Sequence, residues 1–247
     1  MTEGALIGVL LMPEAELPAD AGWLDPREAA VLEGLRVPKR RAEWLLGRWT
    51  ARRAGAAFLG RDDAPGWAVV ASADGAPEMW IGPDRAPCTI SISHRGGWAT
   101  CAVAPPHVAL GCDLEVVESR SEGFVRDYFT EAESAAVLEA PAGDRDLLAN
   151  LVWAAKEAVL KARRSGLRAD TRSVEVDLQM VEPRAGAWSP LAAVDERGAR
   201  WRGWWSRRDD RVVTVAARPF PKAPLDLATA APRIDYGTPT TSSTSSP

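Results

Sequence analysis

Lysine is scarce in this chain: of 30 basic residues only Lys39, Lys156, Lys161 and Lys222 are not arginine. Histidine is scarcer still, with His94 and His107 alone, which excludes a histidine-rich metal site. Cys88, Cys101 and Cys112 are odd in number and lack CxxC spacing. They are neither a disulfide framework nor a zinc site and read as buried thiols of a reducing compartment. No Walker motif, GxGxxG, GxSxG or HExxH is present, so the usual nucleotide, nucleophile-elbow and zincin signatures are absent. Long hydrophobic runs are also missing. The stretch ALIGVLLM near the N-terminus is too short to span a bilayer, has no basic residues before it and no small-residue cleavage pattern after it. It reads as a first buried strand, with the cytoplasm as the expected location and no membrane partner. Positive charge is not in excess either: the net charge of −4 disfavours a protein that coats nucleic acid.

What is present is an ordinary globular composition, 46% hydrophobic and 26% charged, over 247 residues, enough for one large domain or two modest ones. Residues 25–60 have a helical pattern, DPREAAVLEGL and then VPKRRAEWLLGRWTARRAGAAFLG, with Pro38 at a helix start and Gly55 or Gly60 at its end. Residues 65–87 predict loops with short strands. TISISHRGGWATCAVA predicts a hairpin turning at Gly96–Gly97, and VALGCDLEVV a further strand. Thr130 and Glu133 have capping-box spacing, residues 146–163 form a second long helix, and alternation returns from Ser173 to Phe220. After Pro221 the composition turns to Ala, Pro, Thr and Ser, which predicts a disordered tail over 222–247. WLLGRWTARRAG from Trp44 and WAAKEAVLKARRSG from Trp153 echo one another, with Arg48 and Arg52 where the second has Glu157 and Lys161. The echo suggests two related halves, each a long helix on a small sheet.

The chemistry-bearing residues fall in two stretches. In GCDLEVV, strand alternation puts Asp113 and Glu115 on one face and Cys112 and Leu114 on the other. Carboxylates about 7 Å apart can share a hard divalent cation, although a wet acidic strand face is the commoner outcome of that pattern. In VWAAKEAVLK, Trp153, Glu157 and Lys161 share a helical stripe, and Lys156 lies about 100° round from Glu157. An exposed Glu–Lys pair is the plain reading. Against it stands residue choice, because a chain this rich in arginine places half its lysines here. An ammonium is a compact point charge that approaches a phosphate oxygen closely. Arg41, Arg48 and Arg52 lie along one side of the first long helix behind Lys39 and Arg40, either a solvated face or a phosphate-binding cluster. His94 ends a strand at the hairpin turn, a structural position that also permits a hydrogen bond to an anion. The tryptophans read as packing.

These stretches resemble the signature motifs of the 4′-phosphopantetheinyl transferases, usually written G-x-D-x-E and [FW]-x-x-K-E-[AS]-x-x-K. SISHRGGW resembles the Ser-His hairpin of that family, KRRAEWLLGR its basic helix, and FTEAE a segment before the second long helix. The match runs in order from about residue 36 to 168, and the length resembles the larger, two-lobed (Sfp-type) class. The resemblance implies an α+β fold, a pseudo-two-fold pair of similar lobes, each a small, mainly antiparallel sheet on a long helix. It implies an N-terminal lobe (1–107) on the coenzyme A nucleotide side and a C-terminal lobe (108–221) on the metal and pyrophosphate side, in a monomer. The implied reaction moves the phosphopantetheine arm of coenzyme A to a serine of an apo acyl or peptidyl carrier protein and releases 3′,5′-ADP. By motif position Asp113, Glu115 and Glu157 hold Mg²⁺, and Lys156 and Lys161 neutralise phosphate oxygens. Ser93 and His94, with Arg41 and Arg48, bind the 3′-phosphate and adenine end, and either Glu157 or a water on Mg²⁺ takes the serine proton. Two positions depart from the pattern: Ala76 replaces the lysine of a G-K-P segment, and Arg164 replaces a glycine that often follows the second lysine. Other readings are a different Mg²⁺-dependent phosphotransfer or nucleotide hydrolysis, and a non-catalytic carrier-protein or nucleotide-binding module on the same fold.

Overall fold

A computed structural model describes residues 4–61, 66–165, 169–177 and 187–229. The apolar N-terminal run becomes strand β1 (Gly8–Pro13). Helix α1 (Pro26–Gly34) starts on a capping box between Asp25 and Glu28, with Pro26 in the first turn, where its missing N–H costs nothing. Helix α2 (Pro38–Phe58) begins on Pro38 and is closed by Gly60 at φ +60°. Strands β2 (Trp67–Ala71), β3 (Pro77–Ile81) and β4 (Asp84–Arg85) form a small antiparallel sheet. Strands β5 (Thr89–Arg95) and β6 (Trp98–Ala104) form a hairpin. Arg95 pairs with Trp98, and Gly96 and Gly97 between them take φ +57° and +74°. Those are the two left-handed residues that a tight two-residue turn demands.

The second lobe runs through β7 (Ala109–Val116), α3 (Glu122–Tyr128), α4 (Glu131–Glu139), α5 (Ala142–Ala162), β8 (Val174–Asp177), β9 (Ser189–Asp195), β10 (Arg200–Arg208) and β11 (Arg211–Arg218). Thr130 and Glu133 form the capping box of α4. The five strands pair antiparallel in the order β7-β11-β10-β9-β8, and α5 lies across them, burying Leu151, Ala155 and Val159 with Trp205 and Val212. In the first lobe α2, also 21 residues long, packs Leu46, Ala54 and Phe58 over β1 and β6. The architecture is therefore α+β and two-lobed, each lobe a mainly antiparallel sheet on one long helix.

The expected tail begins too early at 222. Strand β12 (Leu225–Asp226) pairs parallel with β1, completing a four-stranded sheet β12-β1-β6-β5, and Leu227 is buried in the first core. One apolar side chain beside a ready sheet edge is enough to order this short piece, whatever the surrounding composition. The rest of the Thr/Ser-rich segment, 230–247, lies outside the described residues, as do positions 178–180 of the expected strand from Ser173. All three cysteines are free and buried. Among the described residues no helix is long and apolar enough to cross a membrane.

The lobes meet along β5 and β7. The Cys112 amide donates to Ser91 Oγ at 2.9 Å. A shared core joins Ile7, Val9 and Ala102 of the first lobe to Leu110, Leu114 and Val215 of the second. Gly111 sets how closely β7 approaches α5, since a Cβ there would fall 1.9 Å from the Ala158 carbonyl oxygen. Any side chain at 111 pushes strand and helix apart.

Candidate active site

Close contact at Gly111 brings the carboxylates of β7 under the polar stripe of α5. Cys112 and Leu114 point into the inter-lobe core, which turns Asp113 and Glu115 the other way, toward Trp153, Glu157 and Lys161. Lys161 Nζ donates to Asp113 Oδ1 at 2.7 Å and to the Cys112 carbonyl at 3.1 Å. From the first lobe, Ser93 Oγ donates to the same Asp113 oxygen at 2.7 Å. Glu115 accepts from Trp153 Nε1 at 3.1 Å and from Arg120 at 2.9 Å, with Arg95 Nε at 3.5 Å. Two carboxylate oxygens, Asp113 Oδ2 and Glu157 Oε1, are buried and meet no hydrogen-bond partner among the described residues.

An unpaired buried carboxylate oxygen is costly, and the Asp113 charge acts on the Glu157 carboxyl, so the pair favours a cation. The charge balance points the same way. Burial pushes the Glu157 carboxyl above its ordinary range and Asp113 pushes it further, with Lys161 resisting and Glu115 adding to the rise. Glu115 is raised by burial and by Asp113, and Arg120, Arg95 and the Trp153 indole oppose the rise. Burial alone would lower Lys161, but Asp113, Cys112 and Glu157 together outweigh that desolvation and raise it, so its ammonium stays charged. Among the described residues no three carboxylate, imidazole or thiol groups converge closely enough to hold an ion by themselves. The open oxygens belong to two residues. That suits Mg²⁺, which takes one or two carboxylates and fills its shell with water and substrate phosphate.

A second cluster lies beside it in the first lobe. His94 and Arg48 line a hollow of about 200 Å³ with Glu43, Trp44 and Pro77. Arg48 stacks on Trp44 at 4.8 Å, and its buried Nε lies 3.8 Å from Glu28 Oε1, an ion pair too long for a hydrogen bond. The hollow shares Gly75, Pro77 and Ile92 with a cleft of about 510 Å³ between the lobes, walled by Ile90, Val108 and Leu110 and rimmed by Lys161 and Arg164. Arg164 ends α5 at φ +57°, a left-handed position that costs a non-glycine residue about 1–2 kcal/mol.

Two expected site residues are not brought here. Arg41 lies about two turns before Arg48 on α2 and donates instead to the Leu32 carbonyl at the end of α1, at 2.8 Å. Lys156 is fully buried: its Nζ pairs with Glu133 Oε2 at 2.6 Å and donates to the carbonyls of Thr171 (3.1 Å) and Val174. All three of its N–H donors are spent on the protein, so a phosphate-facing role does not fit its placement. The rotation of about 100° from Glu157 carries it to the core side of α5. Sequence reading missed Arg120 and Arg95, and took Glu133 only as the capping-box partner of Thr130. Nothing in the pattern marked Glu115 as the partner of Arg120 and Arg95, or Lys156 as that of Glu133.

Comparison with known families bears on both lobes. Residues 28–104 match the model of the 4′-phosphopantetheinyl transferase N-terminal domain, and residues 109–216 match that of the 4′-phosphopantetheinyl transferase superfamily. No curated protein matches the chain. The first match spans α1 to β6 and the second β7 to β11, so the two divide the chain where the inter-lobe cleft does, and the chain belongs to the 4′-phosphopantetheinyl transferase superfamily.

Proposed function

We propose that the protein transfers the phosphopantetheine arm of coenzyme A to a serine of an apo acyl or peptidyl carrier protein and releases 3′,5′-ADP. The observation that carries this reading is the pair of open, buried oxygens on Asp113 and Glu157 beside the charged Lys161. Asp113 and Glu157 would hold Mg²⁺, with Glu115 as a third carboxylate beside them. Bound there, the ion would supply charge neutralisation on the pyrophosphate.

The chain's own groups do the rest. Lys161, held by Asp113 and the Cys112 carbonyl, presents an ammonium where negative charge grows on the departing phosphate. Ser93 orients Asp113 from the other lobe. Arg48 and His94 face the hollow that suits the 3′-phosphate and adenine end of coenzyme A. The carrier serine oxygen forms a bond to the phosphorus nearest the pantetheine, the bond from that phosphorus to the bridging oxygen breaks, and 3′,5′-ADP departs with the electron pair. The serine proton passes to a general base at the site, for which Glu157 is the candidate among the chain's own carboxylates.

The test is direct. Full-length protein with coenzyme A, Mg²⁺ and several apo carrier proteins should add one phosphopantetheine mass to the carrier serine by intact-mass spectrometry, with equimolar 3′,5′-ADP. Coenzyme A binding without any adduct on acyl and peptidyl carriers alike would replace this reading with a non-catalytic binding module.

A further inference from the structure

The rim of the inter-lobe cleft carries a contact that the proposed reaction leaves unexplained. Arg164 projects from the end of α5 across to the turn between β2 and β3. Its Nε lies 2.9 Å from Asp74 Oδ2, its guanidinium donates to Ser72 Oγ at 3.0 Å, and Glu78 stands 3.6 Å away. The turn is organised to present that acceptor. The Ser72 hydroxyl and the Ala76 amide both donate to Asp74 Oδ1, and Gly75 takes φ +88° to close the loop. Both ends of the contact line the same cleft, with Lys161 about one turn earlier on the same helix. Glycine is the residue that a left-handed helix end ordinarily takes. An arginine kept there against backbone strain indicates that its side chain has work to do.

We propose that Arg164 is a positioning residue, a clasp from α5 to the β2–β3 turn that sets the width of the cleft in which coenzyme A lies. The inference rests on that cleft being the coenzyme A site. Arg164 and Asp74 are each about two-fifths exposed. Ion pairs of that kind are individually weak, so the clasp opens for ligand entry and recloses. With the clasp shut, Ala76 and Pro77 of the first lobe are held opposite Lys161 and Ala162 of the second.

Two variants of the full-length protein test it, Arg164→Gly and Asp74→Asn, followed by hydrogen exchange, coenzyme A binding by calorimetry, thermal unfolding and steady-state kinetics. Arg164→Gly relieves the left-handed strain, so its Tm should equal or exceed wild type while amides of 72–78 exchange faster. Its Kd and KM for coenzyme A should rise about fivefold with kcat within about twofold. Asp74→Asn should change exchange at 72–78, Kd and KM in the same direction without the gain in Tm, since it relieves no backbone strain, and the double variant should bind coenzyme A no worse than either single one. Unchanged exchange at 72–78 together with unchanged coenzyme A affinity in Arg164→Gly overturns the clasp. Calorimetry and exchange need no turnover, so an absence of carrier modification in the wild type counts against the transferase reading without touching this result.

Discussion

Lys161 and Lys156 stand five positions apart on one helix and meet opposite surroundings. Lys161 has an anion at 2.7 Å, a carbonyl at 3.1 Å and an open cleft beside it. A guanidinium is planar and broad, and cannot occupy the point where one ammonium meets both oxygens. Lys161→Arg should therefore lower kcat about tenfold despite preserved charge, and Lys161→Met about 10²–10³-fold, measured by 3′,5′-ADP release at saturating coenzyme A. His94 yields a prediction in pH. Burial pushes its imidazole below the ordinary value, Glu43 resists and Lys161 adds to the fall, so it is neutral at pH 7 in the free protein. A bound phosphate favours the imidazolium, so coenzyme A binding takes up a proton at His94. The affinity that His94 contributes is present at low pH and lost as pH rises through the pKa of the complex. The ratio of KM in His94→Gln to KM in wild type should thus fall toward unity between about pH 5.5 and 8.5. Using the ratio cancels the ionisation of coenzyme A itself.

At the scale of elements, α5 carries chemistry on one side and a buried staple on the other. Lys156 and Glu133 are 0% and 3% exposed, and Glu133 also accepts from the amides of Thr130 and Val176. This one pair ties α4, α5 and β8 together. Lys156→Met leaves a buried carboxylate without its counter-ion and should cost about 3–5 kcal/mol in urea unfolding. Where the variant is folded, its kcat should stay within a few-fold of wild type; a loss as deep as that of Lys161→Met would instead make Lys156 a phosphate ligand. The contrast explains what could be read in advance. Pro38, the Thr130–Glu133 box, the Gly96–Gly97 turn and the alternation in GCDLE act over four residues or fewer, where backbone sterics and period decide the outcome. The helical stripe likewise brought Trp153, Glu157 and Lys161 to one side. Period says which residues share a face, and is silent on whether that face meets a cleft or a core. Lys156 is the case in point, since only the packing of α4 and β8 decides its surroundings. Arg120 on Glu115, Arg164 on Asp74 and β12 on β1 are contacts set by how the loops fold back, and no local pattern encodes them.

At the scale of the whole molecule, the two lobes are not separable halves. The candidate site takes Asp113, Glu157 and Lys161 from one lobe and Ser93, His94 and Arg48 from the other. The core beneath the site is shared: Ile7, Val9 and Ala102 pack with Leu110, Leu114 and Val215, so neither lobe buries its apolar face alone. Strand β12 reinforces the union, because the chain leaves β11 in the second sheet and returns to pair with β1 in the first. A chain built this way should unfold as one unit, with calorimetric and van't Hoff enthalpies equal and a single transition by both near- and far-UV circular dichroism. Mg²⁺ with coenzyme A, spanning both lobes, should shift that one transition upward without splitting it. At about 100 times the dissociation constant the linkage is about 2.7 kcal/mol, or about 5–10 °C for a chain of this size. Two transitions, with ligand raising only one, would mean that the lobes fold independently and that the ligand-binding surface lies within a single lobe.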